Sequence, residues 1–171
     1  MFKVMKKAPV GYEKLSYPRP RDSQGNLNLV DVIVHHTAGA PSALNTMAWQ
    51  LEKRNGSYHF VVSGNGDVYA GVPLNRVSWG ALGDDGKRCD WRSVNVALAG
   101  DNTKVAAFPL VQTEAAAELI AGLVEDYGLS VTTHMEKSPR QKPFDHAHIL
   151  QWRHRIYEWR RRIQKGKSGN D

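Results

Sequence analysis

The sequence predicts a single α/β domain with a central mixed β-sheet flanked by helices. Strand-like and helix-like segments alternate along the chain in the order strand, helix, hairpin, strand, helix, strand and helix. This pattern is typical of helices packed on a sheet. The 171 residues suffice for one domain with its own core. Apolar residues make up 41% and charged residues 23% of the chain, a composition that argues against extensive disorder.

Four segments predict the strands. Residues 29–36 (LVDVIVHH) and 94–100 (VNVALAG) are nearly continuous apolar and β-branched runs, as expected for buried strands. Residues 57–73 predict two strands around the Gly-Asn-Gly sequence at 64–66, which is a strong hairpin signal. Residues 129–134 (LSVTTH) predict a short strand that, like the first, ends in histidine.

Two segments in the body of the chain predict helices. Residues 41–56 begin with Pro-Ser and end at Gly56, which suits a helix start and stop. Residues 113–128 have Thr113 as the expected N-cap and Gly128 as the expected stop.

The final predicted helix, about 148–165, is amphipathic. Its apolar residues recur at steps of three and four positions, with arginines on the other faces. The members of this stripe are Ile149, Trp152, Ile156, Trp159 and Ile163. We expect the stripe to be buried against the domain.

The positive charge is concentrated at the two ends of the chain. Of the net charge of +6, residues 1–21 and 151–171 each carry +5, whereas residues 22–150 carry −4. Basic ends indicate a polyanionic partner such as nucleic acid, anionic lipid or a charged envelope polymer. Simple solubility is an equally good explanation.

Composition also sets the expected division of the chain and its compartment. Proline and glycine interrupt any periodicity before residue 29, so we divide the chain into a basic N-terminal extension (1–28), a domain with its basic helix (29–165) and a tail (166–171). Cys89 is the single cysteine, which excludes an intrachain disulfide and a multi-cysteine zinc site. With no apolar run of about 20 residues and no secretory signal, we expect a cytoplasmic protein.

Histidines at strand ends mark the candidate site. His35 and His36 end one predicted strand and His134 ends another, and sites in α/β proteins collect at such ends. A further cluster, formed by Asp145, His146 and His148, follows shortly after His134. Three nitrogen or oxygen donors with one open position are typical of catalytic zinc, although other transition metals accept the same ligands.

Each of these side chains also has a purely structural interpretation. His35 could be a strand-end residue hydrogen-bonded to backbone. His59, inside a strand, is expected to pack rather than to bind metal, and His154 is expected to be solvated. Tyr58 could be core packing in the hairpin, and Lys142 a solvated loop residue.

The segments VIVHHTAG (32–39) and SYHFVVSGNGDVYAGVP (57–73) together resemble the opening signature of the zinc-dependent N-acetylmuramoyl-L-alanine amidases. This family includes phage amidase endolysins, cytoplasmic muropeptide amidases and animal peptidoglycan recognition proteins. The resemblance runs from about residue 29 to residue 152. It implies the amidase fold, one Zn²⁺ per chain, and hydrolysis of the amide between N-acetylmuramic acid and L-alanine.

The resemblance also implies roles for individual residues. His35 and His134 match the two histidine ligands of zinc. Tyr58 matches the tyrosine that helps to position water and substrate, and Lys142 matches the lysine that stabilises the oxyanion. His36 takes a place where members of the family vary.

The third ligand is where the sequence departs from the family. Relatives place Cys or Asp two residues after the lysine, but here that position is Phe144. We expect Asp145 to serve as the ligand after a one-residue insertion, with His146 as the alternative and Cys89 as an unlikely substitute. A second departure is Gly80, where many relatives carry histidine.

We assign substrate contacts to His36, Trp79 and Asn95. The chemistry is coherent, because zinc lowers the pKa of bound water to around 7 and polarises a carbonyl. A cation such as Lys142 and the hydroxyl of Tyr58 would then meet the forming oxyanion, an effect often worth ~3 kcal/mol.

The expected function is therefore peptidoglycan hydrolysis by a monomeric phage endolysin during host lysis. A cytoplasmic muropeptide-recycling amidase and a non-catalytic peptidoglycan-binding module are the alternatives. The basic C-terminal helix could contact an anionic envelope or membrane. Nucleic-acid binding has only the charge in its favour, and we expect no nucleic-acid partner.

Overall fold

The computed structural model describes residues 5–37, 39–81, 90–100, 108–140 and 149–168. For residues 149–153 and 168 it describes the backbone alone. The strands in these ranges are β1 (Lys6–Lys7), β2 (Ser16–Pro18), β3 (Asp31–His36), β4 (Phe60–Val62), β5 (Val68–Ala70), β6 (Arg76–Ser78), β7 (Ser93–Leu98) and β8 (Ser130–Thr133). The helices are α1 (Ala43–Lys53), α2 (Leu110–Tyr127), α3 (His134–Lys137) and α4 (Ile149–Ser168).

The main sheet has the strand order β1-β5-β4-β7-β3-β8. Strands β4, β7, β3 and β8 are parallel to one another, β1 is parallel to β5, and the hairpin β4–β5 is antiparallel. Strands β2 and β6 form a separate antiparallel pair. The predicted mixed sheet flanked by helices is confirmed, as is the predicted hairpin around residues 64–66.

The two faces of the sheet differ in what covers them. On one face, the valines and leucine of β7 pack with α2 and with Ile156 of α4. On the other face, Ala97 packs with α1 and with the N-terminal residues Tyr12 and Leu15. This division follows from the pleat, because successive side chains of a strand point to opposite faces.

The first helix begins as predicted but ends early. Ser42 is the N-cap, and its hydroxyl accepts a hydrogen bond from the Asn45 N–H at 3.3 Å. The helix ends at Lys53 because Arg54 adopts the left-handed conformation, with φ of 49°. The predicted stop at Gly56 is therefore wrong by one turn.

The second helix begins one turn before its predicted N-cap. It starts at Leu110, and Pro109 stands at the N-cap position without a side-chain capping hydrogen bond. Thr113 lies inside the first turn, and its hydroxyl donates to the Leu110 carbonyl at 3.0 Å. The end is as predicted, with Gly128 closing the helix at φ of 66°.

The strand before His134 stops one residue earlier than predicted. Thr133 and Glu136 form a capping box, in which the Thr133 hydroxyl accepts from the Glu136 N–H at 3.0 Å. The Glu136 carboxylate accepts from the Thr133 N–H at 2.7 Å. His134 is therefore the first residue of α3 rather than the last of β8. The cap fixes the position of the His134 backbone.

The N-terminal residues 5–28 pack onto the rest of the domain. Strand β1 extends the sheet, and Tyr12 is fully buried. Arg19 is only 5% exposed, and its guanidinium donates hydrogen bonds to the carbonyls of Leu74, Trp91 and Ser93 at 2.9, 2.6 and 2.9 Å. A buried cation with its donors satisfied in this way ties the segment to the fold.

Helix α4 lies along α2. Of the predicted apolar stripe, Ile156, Trp159 and Ile163 pack into the core, and the side chains of the other two members lie outside the described residues. His154 is exposed, as predicted. Ion pairs between the helices add to this packing, including Arg160–Glu125 at 2.6 Å. No helix in the described ranges combines the length and the apolar character that a membrane span requires.

Replacing Arg19 by Ala is expected to lower the free energy of unfolding by about 3 kcal/mol, because buried carbonyls would lose their donor. Arg21→Ala serves as the control, since Arg21 is exposed on the same segment, and should change that free energy by no more than about 0.5 kcal/mol. Urea unfolding measures both values. Equal effects of the two substitutions would contradict a structural role for Arg19.

Candidate active site

Two histidines meet at the carboxyl ends of neighbouring parallel strands. Val34 of β3 pairs with Thr133 of β8. The residues that follow them, His35 and His134, are therefore neighbours at the carboxyl ends of these strands. Their Nδ1 atoms are 3.1 Å apart. The two side chains are 1% and 4% exposed, so they form the floor of the site rather than part of its surface.

The geometry of this pair suits two ligands of one metal ion. A tetrahedral zinc with nitrogen ligands at 2.0–2.1 Å holds those nitrogens about 3.3 Å apart, close to the observed 3.1 Å between the two Nδ1 atoms. Within the described residues, no group of three His, Cys, Asp or Glu side chains is assembled. The expected third ligand Asp145, its alternative His146, and also Lys142, Phe144 and Cys89 lie outside those residues.

A cleft of about 670 Å³ opens above the histidines. His134 lies in its lining, together with His36, Tyr58 and Trp79. The structure thus brings these four predicted site residues together. Asn95, to which we assigned a substrate contact, lies beneath the cleft instead: it is fully buried, and its side-chain oxygen is 2.7 Å from His35 Nε2.

One wall of the cleft was not predicted from the sequence. Helix α1 contributes Asn45, Thr46, Trp49 and Gln50 to the lining, and the Trp49 side chain is half exposed. The available signal was a tryptophan placed off the buried face of an amphipathic helix. Such an exposed aromatic residue often marks a binding surface.

A model of the family N-acetylmuramoyl-L-alanine amidase matches residues 27–160. The chain belongs to this family. The enzyme class expected from the sequence is confirmed, and peptidoglycan is the substrate of that class. Enzymes of the family are generally zinc-dependent.

Solved structures show the same fold. The amidase is similar to a mutant form of PlyL, with a TM-score of 0.69 and 19% identity over 92% of this chain and 98% of that one. A selenomethionine derivative of AmpD has a TM-score of 0.66 and 19% identity over 91% and 96%. The endolysin amidase LysCS from Clostridium intestinale has a TM-score of 0.62 and 17% identity over 82% and 87%. Among curated proteins, none matches the chain.

Tyr58 of the amidase can supply a hydrogen-bond donor at the site. Its ring centroid is 5.1 Å from that of His35, and its backbone N–H donates to the Tyr12 hydroxyl at 3.1 Å. Burial, together with the negative charge of Asp90, raises the pKa of Tyr58 to about 12. The phenol is therefore protonated at neutral pH and able to donate to a developing negative charge.

The close approach of Asn95 accounts for glycine at position 80, where the resemblance led us to expect histidine. A Cβ atom at this position would lie 2.9 Å from Asn95 Cγ and 3.1 Å from Asn95 Nδ2. Any larger side chain on this backbone, histidine included, would displace Asn95. Gly80 and Asn95 thus depend on each other sterically.

His59 is confirmed as a packed histidine. It is fully buried, and burial, followed by the positive charge of Arg19, lowers its pKa to about 3. The ring is therefore neutral over the physiological range, and it contacts Ser78, Arg76 and Asn95 rather than the cleft.

Tyr58→Phe is expected to lower kcat for peptidoglycan about 100-fold with KM little changed, because it removes a donor but keeps the ring. Steady-state release of amino groups from purified peptidoglycan measures both constants. Tyr69→Phe is the control, since Tyr69 lies on β5 outside the cleft lining, and should leave kcat unchanged. An unaltered kcat for Tyr58→Phe would reduce Tyr58 to a packing role.

Proposed function

We propose that this amidase is a zinc-dependent endolysin that cleaves the amide between the lactyl group of N-acetylmuramic acid and L-alanine. The observation that carries the proposal is the His35–His134 pair, with Nδ1 atoms 3.1 Å apart and His134 in the lining of the cleft. In this proposal the two histidines hold one Zn²⁺ with Asp145 as third ligand.

The proposed chemistry divides between the metal and the chain. When bound, zinc lowers the pKa of water and polarises the scissile carbonyl. Tyr58 donates a hydrogen bond to the oxygen that becomes negative, and Lys142 adds a positive charge there. Trp79 and His36 contact the substrate from the lining of the cleft, and Trp49 of α1 offers an aromatic surface in the same lining.

The biological part of the proposal is host lysis by a phage. LysCS, one of the similar structures, is described as an endolysin amidase, which supports this assignment for a chain of the same fold. The enzyme would act as a monomer, accumulate in the cytoplasm of the producing cell and reach the wall after release.

Metal analysis combined with product analysis tests the proposal. Purified protein should contain about one zinc per chain. Incubation with peptidoglycan should create new L-alanine amino termini and no new reducing sugar ends. Zinc-free protein that binds the wall without releasing amino groups would make the chain a recognition module. Cleavage of soluble muropeptides but not of intact wall would make it a recycling amidase.

The same assay on two variants identifies the third ligand. Asp145→Ala should lose both zinc and activity, because two histidines alone hold the metal weakly. His146→Ala is the matched control and should retain both. The reverse outcome would transfer the ligand role to His146.

The basic helix α4 is proposed to hold the enzyme on an anionic envelope. Its apolar stripe packs against the core, so contact would come through exposed cations such as Arg161, Arg162 and Lys165 rather than through insertion. Each cation close to an anionic surface contributes about 1 kcal/mol.

Replacing Arg161, Arg162 and Lys165 by Gln should therefore weaken binding to phosphatidylglycerol vesicles about 100-fold. Co-sedimentation at low salt measures this binding, with phosphatidylcholine vesicles as the neutral reference. The matched control replaces three exposed lysines elsewhere, Lys7, Lys14 and Lys53, by Gln. Equal loss in the two triple variants would show that net charge, not α4, governs binding.

A further inference from the structure

A buried polar network lies directly beneath His35. At its centre is Asn95 in the middle of β7, which is fully buried. The Asn95 amide nitrogen is 2.7 Å from Ser78 Oγ and 2.8 Å from Asp90 Oδ1. Its amide oxygen is 2.7 Å from His35 Nε2. Both ends of this side-chain amide are thus engaged by protein groups.

The carboxylate of Asp90 determines which way the amide points. An ionised carboxylate only accepts hydrogen bonds, and Asp90 Oδ1 already accepts from the Ala81 N–H at 2.7 Å. The NH₂ group of Asn95 must therefore face Asp90. With the amide turned round, two oxygens would oppose each other in a buried site, which is costly.

The orientation of the amide in turn determines the proton position on His35. The carbonyl oxygen of Asn95 carries no proton, so the 2.7 Å contact requires that His35 Nε2 be the donor. A neutral imidazole with its proton on Nε2 has a lone pair on Nδ1. That Nδ1 atom is the one that faces His134 Nδ1 at 3.1 Å.

The backbone of Asn95 is held as firmly as its side chain. Its N–H donates to His59 Nδ1 at 2.9 Å, and His59 Nε2 is 3.0 Å from the Arg76 carbonyl, to which it donates. Gly80 lies against the amide from the cleft side, where even a Cβ atom would be 2.9 Å from Asn95 Cγ. The Gly80 backbone therefore lies close against the amide.

We propose that Asn95 is the positioning residue of the metal site: it holds His35 in the Nε2–H tautomer, so that Nδ1 is ready to bind the metal. Asp90 and Ser78 act through Asn95 by fixing the direction of its amide. The inference rests on the proposed zinc dependence. A hydrogen-bonded partner of this kind typically contributes 10–100-fold to metal affinity.

The first test uses the metal-free wild-type protein and needs no substitution. Two-bond ¹H–¹⁵N correlation NMR distinguishes the tautomers of a neutral histidine ring. His35 should show a protonated Nε2 and an unprotonated Nδ1. A protonated Nδ1 on His35 would overturn the proposal whether or not any variant folds.

The second test compares Asn95→Ala with Gln112→Ala in the full chain. Gln112 is an equally buried amide whose nitrogen donates to Val62 and Ala99 carbonyls. Both variants lose buried hydrogen bonds and stability, but only Asn95→Ala removes the acceptor from His35.

Zinc affinity, measured by competition with a chromophoric chelator, should fall 10–100-fold in Asn95→Ala and stay within about twofold in Gln112→Ala. The His35 ring of Asn95→Ala should show a mixture of tautomers. Gly80→Ala, which displaces the amide without removing the acceptor, should lower zinc affinity in the same direction. Wild-type affinity together with a wild-type tautomer in a folded Asn95→Ala protein would overturn the proposal.

These outcomes are distinct from failure of the proposed function. If the wild-type protein binds no zinc, the zinc-dependent activity fails, whereas the tautomer of His35 still reports on the role of Asn95. If zinc binds but His35 carries its proton on Nδ1, the amidase assignment stands and the positioning role fails.

Discussion

The placement of β3 between β7 and β8 is the constraint on which the site depends. Parallel pairing brings Val34 opposite Thr133, so the two residues that follow, His35 and His134, become neighbours although 99 positions separate them in the chain. The capping box at Thr133 then ends the strand and starts α3 at His134. Strand register and a helix cap together place two imidazole rings against each other.

The pair of histidines lies on a layer of buried polar residues inside an otherwise apolar sheet. Burying Asn95, His59, Asp90 and Arg19 is unfavourable unless their donors and acceptors are matched. The structure matches them largely to one another and to backbone carbonyls. A half-satisfied network of this kind would cost more than an apolar core, so these residues depend on one another as a group.

The N-terminal segment belongs to this group although the family match begins only at residue 27. Arg19 lies beside His59, with Nη2 and Nε2 3.1 Å apart, and its positive charge helps to keep that ring neutral. The Tyr12 hydroxyl accepts the backbone N–H of Tyr58 at 3.1 Å. Residues before the family match therefore contact His59 and Tyr58 inside it.

The sequence by itself determined the class of fold, and it pointed to two histidines that the structure brings together. Apolar runs ending in histidine predicted the buried strands and His35 and His134, because strand periodicity and strand ends are local signals. Helix boundaries were less well determined: Arg54 closed α1 before Gly56, and Pro109 started α2 before Thr113, since several residues nearby can cap a helix.

Only the tertiary structure decided what each buried polar residue does. In the sequence, Asn95 was a polar residue in an apolar strand, and we placed it against substrate. The structure puts it under His35, because the pleat turns it to the α1 face and Gly80 covers it. For the wall formed by Asn45, Thr46 and Trp49, the sequence offered only an off-face tryptophan, since a cleft is made by elements far apart in the chain. Local sequence patterns carry periodicity and capping; which polar groups share a buried network depends on long-range pairing.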